Sequence, residues 1–424
     1  MIILLDIITF LISTYVAIKS VSRLAKNQYS ALHICIIVYY LMHCFPLALQ
    51  YYYGLDSAKD ISLIFYEALT DEAVALCYDV ITIITCCILY RVANTYSKVS
   101  QNTSRIMRGV KSKPIVSFLL TMMMYLPIIA VVAFAPDSSV YFTYSYFYIV
   151  DSDMVSIEAL YHNKIVVITL YISFAFILLK YYMRRNTRFL KCIDIYFCIF
   201  LITWVSQKRT ILVFVLLGIL VVDFVKKNYM CFNELRNKFI VFMLVIVGYF
   251  VFYSSFVKNT GDDAFSTYTL YFSRLNVEKV AIYDLFYDNK MLDYRGQSLL
   301  YDLFFFVPRS LWPSKPGMYT KYFTAYVCSG SGSESNWLPF NYQVNIFGDW
   351  VSSLGIIGHF FALIFILFII RKSERSTSKV MYISGIVFVL LYLMYGFEHI
   401  VIVSYLIWLF SFLKSCKIYR IKKA

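Results

Sequence analysis

Residues 257–350 read VKNTGDDAFSTYTLYFSRLNVEKVAIYDLFYDNKMLDYRGQSLLYDLFFFVPRSLWPSKPGMYTKYFTAYVCSGSGSESNWLPFNYQVNIFGDW. The fold turns on what this stretch is. It mixes acids (Asp262, Asp263, Glu278, Asp284, Asp288, Asp293, Asp302, Glu334, Asp349) with bases (Lys258, Arg274, Lys279, Lys290, Arg295, Arg309, Lys315, Lys321) and a dense run of Tyr and Phe. On either side the chain is a succession of apolar runs about 20 residues long, the length that crosses a bilayer. A polar stretch this long inside an apolar chain is functional more often than connective.

Composition agrees with that division. The 424 residues are 60% hydrophobic and 15% charged, with mean hydropathy +0.68, whereas a soluble domain holds about a quarter charged residues. Residues 1–19 lack a basic start and a small-residue cleavage site, so they read as a first span rather than a cleaved leader. The net charge of +14 invites a nucleic-acid reading, but the bases sit in short connections between apolar runs, where they encode orientation instead. The ten cysteines give no disulfide framework: most fall in or beside spans, and Cys328 is alone in the long stretch. No Cys/His spacing suits zinc, so no metal and no cofactor is expected.

The apolar runs predict about 11 spans, at 2–19, 31–50, 72–90, 114–135, 164–182, 189–206, 210–225, 239–256, 351–370, 380–397 and 399–413. The expected fold class is an all-α polytopic membrane protein: an N-terminal bundle (1–256), a large extracytoplasmic loop with short helices (257–350), and C-terminal spans with a basic tail (351–424). Every second connection is basic: Lys19/Arg23/Lys26, Arg91 to Lys113, Lys180 to Lys191, Lys226 to Lys238, Arg371 to Lys379, and the tail from Lys414. Those connections face the cytoplasm by the positive-inside rule, which leaves the long loop outside. The hairpin Ser206-Gln207-Lys208-Arg209-Thr210 breaks the alternation, because it places two bases on the outer face. Either the flanking spans are one mis-split segment with snorkelling charges, or the hairpin holds an anion.

Inside the loop, 266–288 has helical spacing, with Arg274, Glu278 and Lys279 on roughly one polar side. The apolar segment 297–307 is too short to cross a bilayer and is expected in the interface. Pro308, Pro313 and Pro316 hold PRSLWPSKP non-helical, and SGSGSES at 329–335 has the composition of a linker or mobile lid. Arg209, Arg274, Arg309 and Lys315, with Lys208, are candidate phosphate ligands, since a guanidinium binds two oxygens at once and stays charged; ordinary loop salt bridges are the alternative. Trp312 suits a sugar face or an interfacial belt. Glu278, Asp349 and Glu334 are candidate general bases, ahead of His359 and His399. The intramembrane acids Asp6, Asp79, Asp194 and Asp223 share no register and are expected to be paired.

These residues resemble a family. A many-span chain with a large outer loop carrying PRSLWPSKP (308–316) is similar to the Wzy-type O-antigen and capsule repeat-unit polymerases. QKRT (207–210) looks like their arginine at the outer start of a span, and FGDWVSSLGIIG (347–358) like their Gly-rich lead into the span after the loop. The resemblance implies a GT-C-like, metal-independent, inverting glycosyltransferase of the bacterial inner membrane, with its active site facing the periplasm. Its donor would be a growing glycan on undecaprenyl pyrophosphate, its acceptor a single lipid-linked repeat unit, and its partners a chain-length regulator and a flippase, with no nucleic acid. Glu278 or Asp349 would take the acceptor's proton, with Arg274 beside Glu278. Lys208, Arg209, Arg309, Lys315 and Trp312 would hold the leaving pyrophosphate. The nearest alternatives are an O-antigen ligase, with the same donor but lipid A-core as acceptor, and a lipid-linked oligosaccharide flippase or transporter.

Overall fold

The computed structural model describes residues 2–26, 30–53, 62–96, 114–135, 157–184, 192–206, 273–338, 341–375 and 379–394, with isolated positions at 59, 138, 141 and between 212 and 248. The described residues are helical, without strands. They form two compact units, one of residues 1–102 with 262–424 and one of residues 103–261.

In the first unit, α1 (Ile2–Ala25) packs on α2 (Ala31–Tyr39). A π-turn at Tyr40–Cys44 carries α2 into α3 (Phe45–Tyr53). Next come α4 (Leu63–Thr70) and α5 (Glu72–Tyr96). The second unit holds α6 (Pro114–Ala133), α7 (Ile157–Met183) and α8 (Ile193–Ser206). The chain then returns to the first unit with α9 (Leu275–Tyr283), α10 (Gln297–Leu303), α11 (Tyr319–Ser329), α12 (Ile346–Leu354), α13 (Ile356–Glu374) and α14 (Lys379–Met394).

Among the described residues, five helical stretches are long and apolar enough to cross a membrane: Ile3–Ala25, Ala31–Tyr52, Glu72–Thr95, Pro114–Ala133 and Ile356–Glu374. The chain is thus an all-α membrane protein. Shorter apolar helices cover parts of the spans predicted at 164–182, 189–206 and 380–397. Most of 210–225 and 239–256, and all of 399–413, lie outside the described residues.

The long loop differs from its sequence reading in one respect that governs the rest. It does not stand apart from the N-terminal spans, because residues from 262 on share one compact unit with residues 1–102. Leu275, Val277, Val280, Ala281 and Ile282 of α9 share one apolar core with Leu47 of α3, Ile64 to Leu69 of α4, Val74 and Tyr78 of α5, and Tyr319 to Val327 of α11. The segment predicted as linker is also built in. The Gly332 amide donates to the Lys290 carbonyl (3.0 Å), and Glu334–Asn336 form a 3₁₀ turn.

Two glycines set how α12 meets its neighbours. A Cβ on Gly348 would meet Val277 Cγ1 at 2.7 Å, so this glycine lets α9 and α12 touch. Gly355 lies at φ +73° and separates α12 from α13, which makes the two a broken helix. At the far end of α13, Glu374 accepts from Ser30 Oγ (2.9 Å) and the Ala31 amide (2.8 Å). The basic ends of α1 and α13, carrying Arg23 and Arg371/Lys372, thus belong to one end of the unit.

Candidate functional site

The helix α9 is nine residues long, yet Arg274, Asn276, Glu278 and Lys279 at its start are all buried. Burying four polar side chains on so short a helix requires a partner for each. Asn276 Oδ1 accepts from Gln50 Nε2 (3.0 Å). The Arg274 guanidinium donates to the Met394 carbonyl through Nε (2.7 Å), and its amide donates to the Met42 carbonyl (2.9 Å). Lys279 lies over the Tyr78 ring (5.5 Å), within electrostatic reach of Asp6 and Asp79. Burial pushes its ammonium down and the two aspartates pull it back up. The Tyr51 hydroxyl donates to Asp6 Oδ2.

Glu278 is fully buried between two histidines that the sequence places far from it. His43 Nδ1 lies 3.3 Å from Oε2, and His359 Nδ1 is hydrogen-bonded to Oε1. The surroundings fix which ring nitrogen carries each proton. Asn345 caps α12 through Oδ1, which accepts from the Gly348 amide (2.9 Å), so its Nδ2 is the group facing His43 Nε2 at 3.3 Å. An NH₂ there makes Nε2 the acceptor and puts the proton on Nδ1, toward Glu278. For His359 the Glu278 carboxylate, an acceptor only, puts the proton on Nδ1, which leaves Nε2 to accept from the Thr85 hydroxyl (2.7 Å). Both imidazoles are held by rings: Tyr39 stacks on His43 (4.3 Å between centroids) and Phe347 on His359 (4.4 Å). His43 itself sits in the π-turn Tyr40–Cys44, a feature frequent at functional sites.

The electrostatics follow from that geometry. Burial alone raises the Glu278 carboxyl, but His359 and then His43 overcome it and hold it down at about 2. A carboxylate this well satisfied is a poor proton acceptor. It is placed instead to orient and charge-stabilise an imidazole, as the carboxylate of a catalytic triad does. His359 lies 15 residues from Glu374, roughly 22 Å along α13, so the cluster is remote from the basic end of the unit.

The other sequence candidates fall as follows. Arg274 is a neighbour of Glu278 through its helix but is bound to a backbone carbonyl. Asp349 is buried and accepts from Ser298 Oγ (2.5 Å), whose oxygen also meets Ser353 Oγ (2.6 Å). Arg309 is half exposed, with Glu334 at 4.0 Å. The Lys315 ammonium donates to the carbonyls of Phe305 (2.5 Å) and Val307 (3.0 Å) and lies over the Tyr301 ring. It shapes a turn, and is not free to hold phosphate as the sequence suggested. Burial, then Arg309, lowers its pKa. Trp312 Nε1 donates to Ser314 Oγ (3.2 Å). Glu334 is exposed. Lys208, Arg209 and His399 lie outside the described residues.

Of the four intramembrane aspartates, Asp194 pairs with Lys180 and with Arg184 (2.6 Å), Asp223 with Lys238 and Tyr181, and Asp6 accepts from Tyr51, whereas both carboxyl oxygens of buried Asp79 lack a hydrogen-bond partner. Among the described residues no His, Cys, Asp and Glu group is arranged to hold a metal ion. No family model, curated protein or solved structure matches the chain. His43 had no spacing signal in the sequence; only its being an ionisable residue inside an apolar span marks it.

Proposed function

We propose that the chain polymerises undecaprenyl-pyrophosphate-linked oligosaccharide repeat units at the periplasmic face of the bacterial inner membrane. The observation that carries this reading is the Glu278 carboxylate clasped by His43 and His359, remote from the basic end of its unit. In this reading His43 is the base. Its Nε2 faces the loop residue Asn345, and displacement of that amide admits the acceptor sugar's hydroxyl. The hydroxyl oxygen attacks the donor's anomeric carbon, and its proton passes to Nε2. The anomeric C–O bond breaks and the pyrophosphate leaves with the electron pair. Glu278 stabilises the imidazolium through Nδ1–H. Arg309 meets the charge on the leaving pyrophosphate, where a fixed cation stabilises the transition state most, and Trp312 offers a face to a sugar.

A second reading, a transporter of the same lipid-linked glycan, is favoured by one observation: the buried Asp6–Asp79–Lys279 group within the spans. A strain lacking the gene separates the possibilities. A single repeat unit on the surface core, with the ladder above it lost, supports a polymerase. No repeat unit on the core supports a ligase or a transporter and removes the polymerase. Restoring the ladder with wild type but not with His43→Ala, at equal protein abundance, ties it to the site.

A further inference from the structure

We propose that residues 303–312 form a wedge that inserts into the lipid surface beside α13, with Arg309 set for a lipid phosphate. The turn displays Leu303, Phe304, Phe306 and Leu311 to the outside at 51, 42, 66 and 78% exposure, an amount of apolar surface that water disfavours at about 25 cal/mol per Å². Its occupant follows from where it is tied. Ser298 of α10 bonds Asp349 and Ser353 of α12, and Ser353 lies two residues before Gly355, where the membrane span α13 begins. That span carries an exposed apolar stripe, Ile357, Phe361, Ile364 and Phe368, and Leu354 at the end of α12 continues it. Leu303 lies five residues along α10 from Ser298, roughly 8 Å. The wedge therefore stands at the end of a face that lipid already covers, and the bilayer is the partner it meets.

The backbone is prepared for a low dielectric, where an unmet carbonyl is costly. The Phe304 carbonyl accepts from the Val307 amide (3.0 Å), and the Pro308 carbonyl from the amides of Leu311 (3.0 Å) and Trp312 (3.1 Å). Two more, those of Phe305 and Val307, are taken by the buried Lys315 ammonium. Phe304 packs edge-on against Trp312 (6.2 Å), which leaves Phe306 and Leu311 outermost. Arg309, between them in sequence, keeps its guanidinium half exposed, as an interfacial arginine does toward headgroups.

The test is a Phe306→Cys chain with the ten native cysteines replaced, labelled with a small fluorophore and reconstituted in phosphatidylcholine/phosphatidylglycerol vesicles. Leu311→Cys serves as a second site and Ser335→Cys as a water-facing reference. The wedge predicts several-fold stronger quenching at 306 and 311 by a lipid carrying a shallow nitroxide than by aqueous iodide, and the reverse at 335. Iodide quenching at 306 and 311 equal to that at 335 overturns it. So does shielding from both quenchers, and a 306–306 disulfide between chains would then assign this face to a second copy.

Discussion

Replacing Glu278 by Gln changes one atom and one charge in the centre of the first unit. One carboxylate oxygen is hydrogen-bonded to His359 Nδ1, and His43 Nδ1 lies 3.3 Å from the other. A carboxamide has one oxygen to offer, so one histidine must face an NH₂ with its own N–H. Leaving such a buried donor unmet costs about 1–3 kcal/mol. The titration gives a second measure: at about 1.4 kcal/mol per pH unit, the gap between 4.5 and about 2 corresponds to about 3 kcal/mol. Because the folded-state value is the depressed one, this stability is complete above pH 4.5 and is lost as the pH falls from 4.5 toward about 2. Thermal unfolding in detergent, followed by tryptophan fluorescence, should place Glu278→Gln about 2–6 °C below wild type at pH 7. The difference should close as both are taken below pH 4.5. Equal unfolding temperatures at pH 7, or a constant difference down to pH 3, would refute the argument that the carboxylate is held ionised by the two histidines.

Four further outcomes follow from the same contacts. Gly348→Ala drives a methyl toward Val277 Cγ1 at 2.7 Å and should cost about 1–3 kcal/mol as overpacking, read as a lower unfolding temperature. Lys279→Met removes the cation over the Tyr78 ring and should cost no more than the roughly 2 kcal/mol of a desolvated cation–π contact, read by thermal unfolding in detergent. Lys315→Met releases the carbonyls of Phe305 and Val307, and hydrogen exchange should rise across 303–312 while α9 stays protected. Cys328 is exposed; with the other cysteines replaced, an impermeant thiol reagent should label it from the periplasmic side of intact cells, and labelling only after the inner face is opened would reverse the topology.

The spans were legible because a bilayer demands runs of apolar residues, and Ile3–Ala25, Ala31–Tyr52, Glu72–Thr95 and Pro114–Ala133 supply them without ambiguity. The last long span needed correcting at its start, where Gly355 divides what hydropathy reads as continuous. The site was half legible. Arg274, Glu278 and Lys279 share a polar side in the sequence, and periodicity assigns such a side to water. Here that side faces the interior, because His43, His359 and the Met394 carbonyl arrive from distant helices to meet it. No local pattern carries that information. The sequence ranks carboxylates above histidines for a related reason: a lone histidine at a span end looks structural until the carboxylate behind it is seen.

The central claim is best tested with purified protein in proteoliposomes, supplied with one defined undecaprenyl-pyrophosphate-linked repeat unit and no other substrate. The account predicts a ladder of two, three and more repeat units, with one undecaprenyl pyrophosphate released per added unit. It also predicts that His43→Ala abolishes both while still binding the lipid-linked donor. Movement of the intact lipid-linked unit between leaflets with no new glycosidic bond, or a full ladder from His43→Ala, would contradict it.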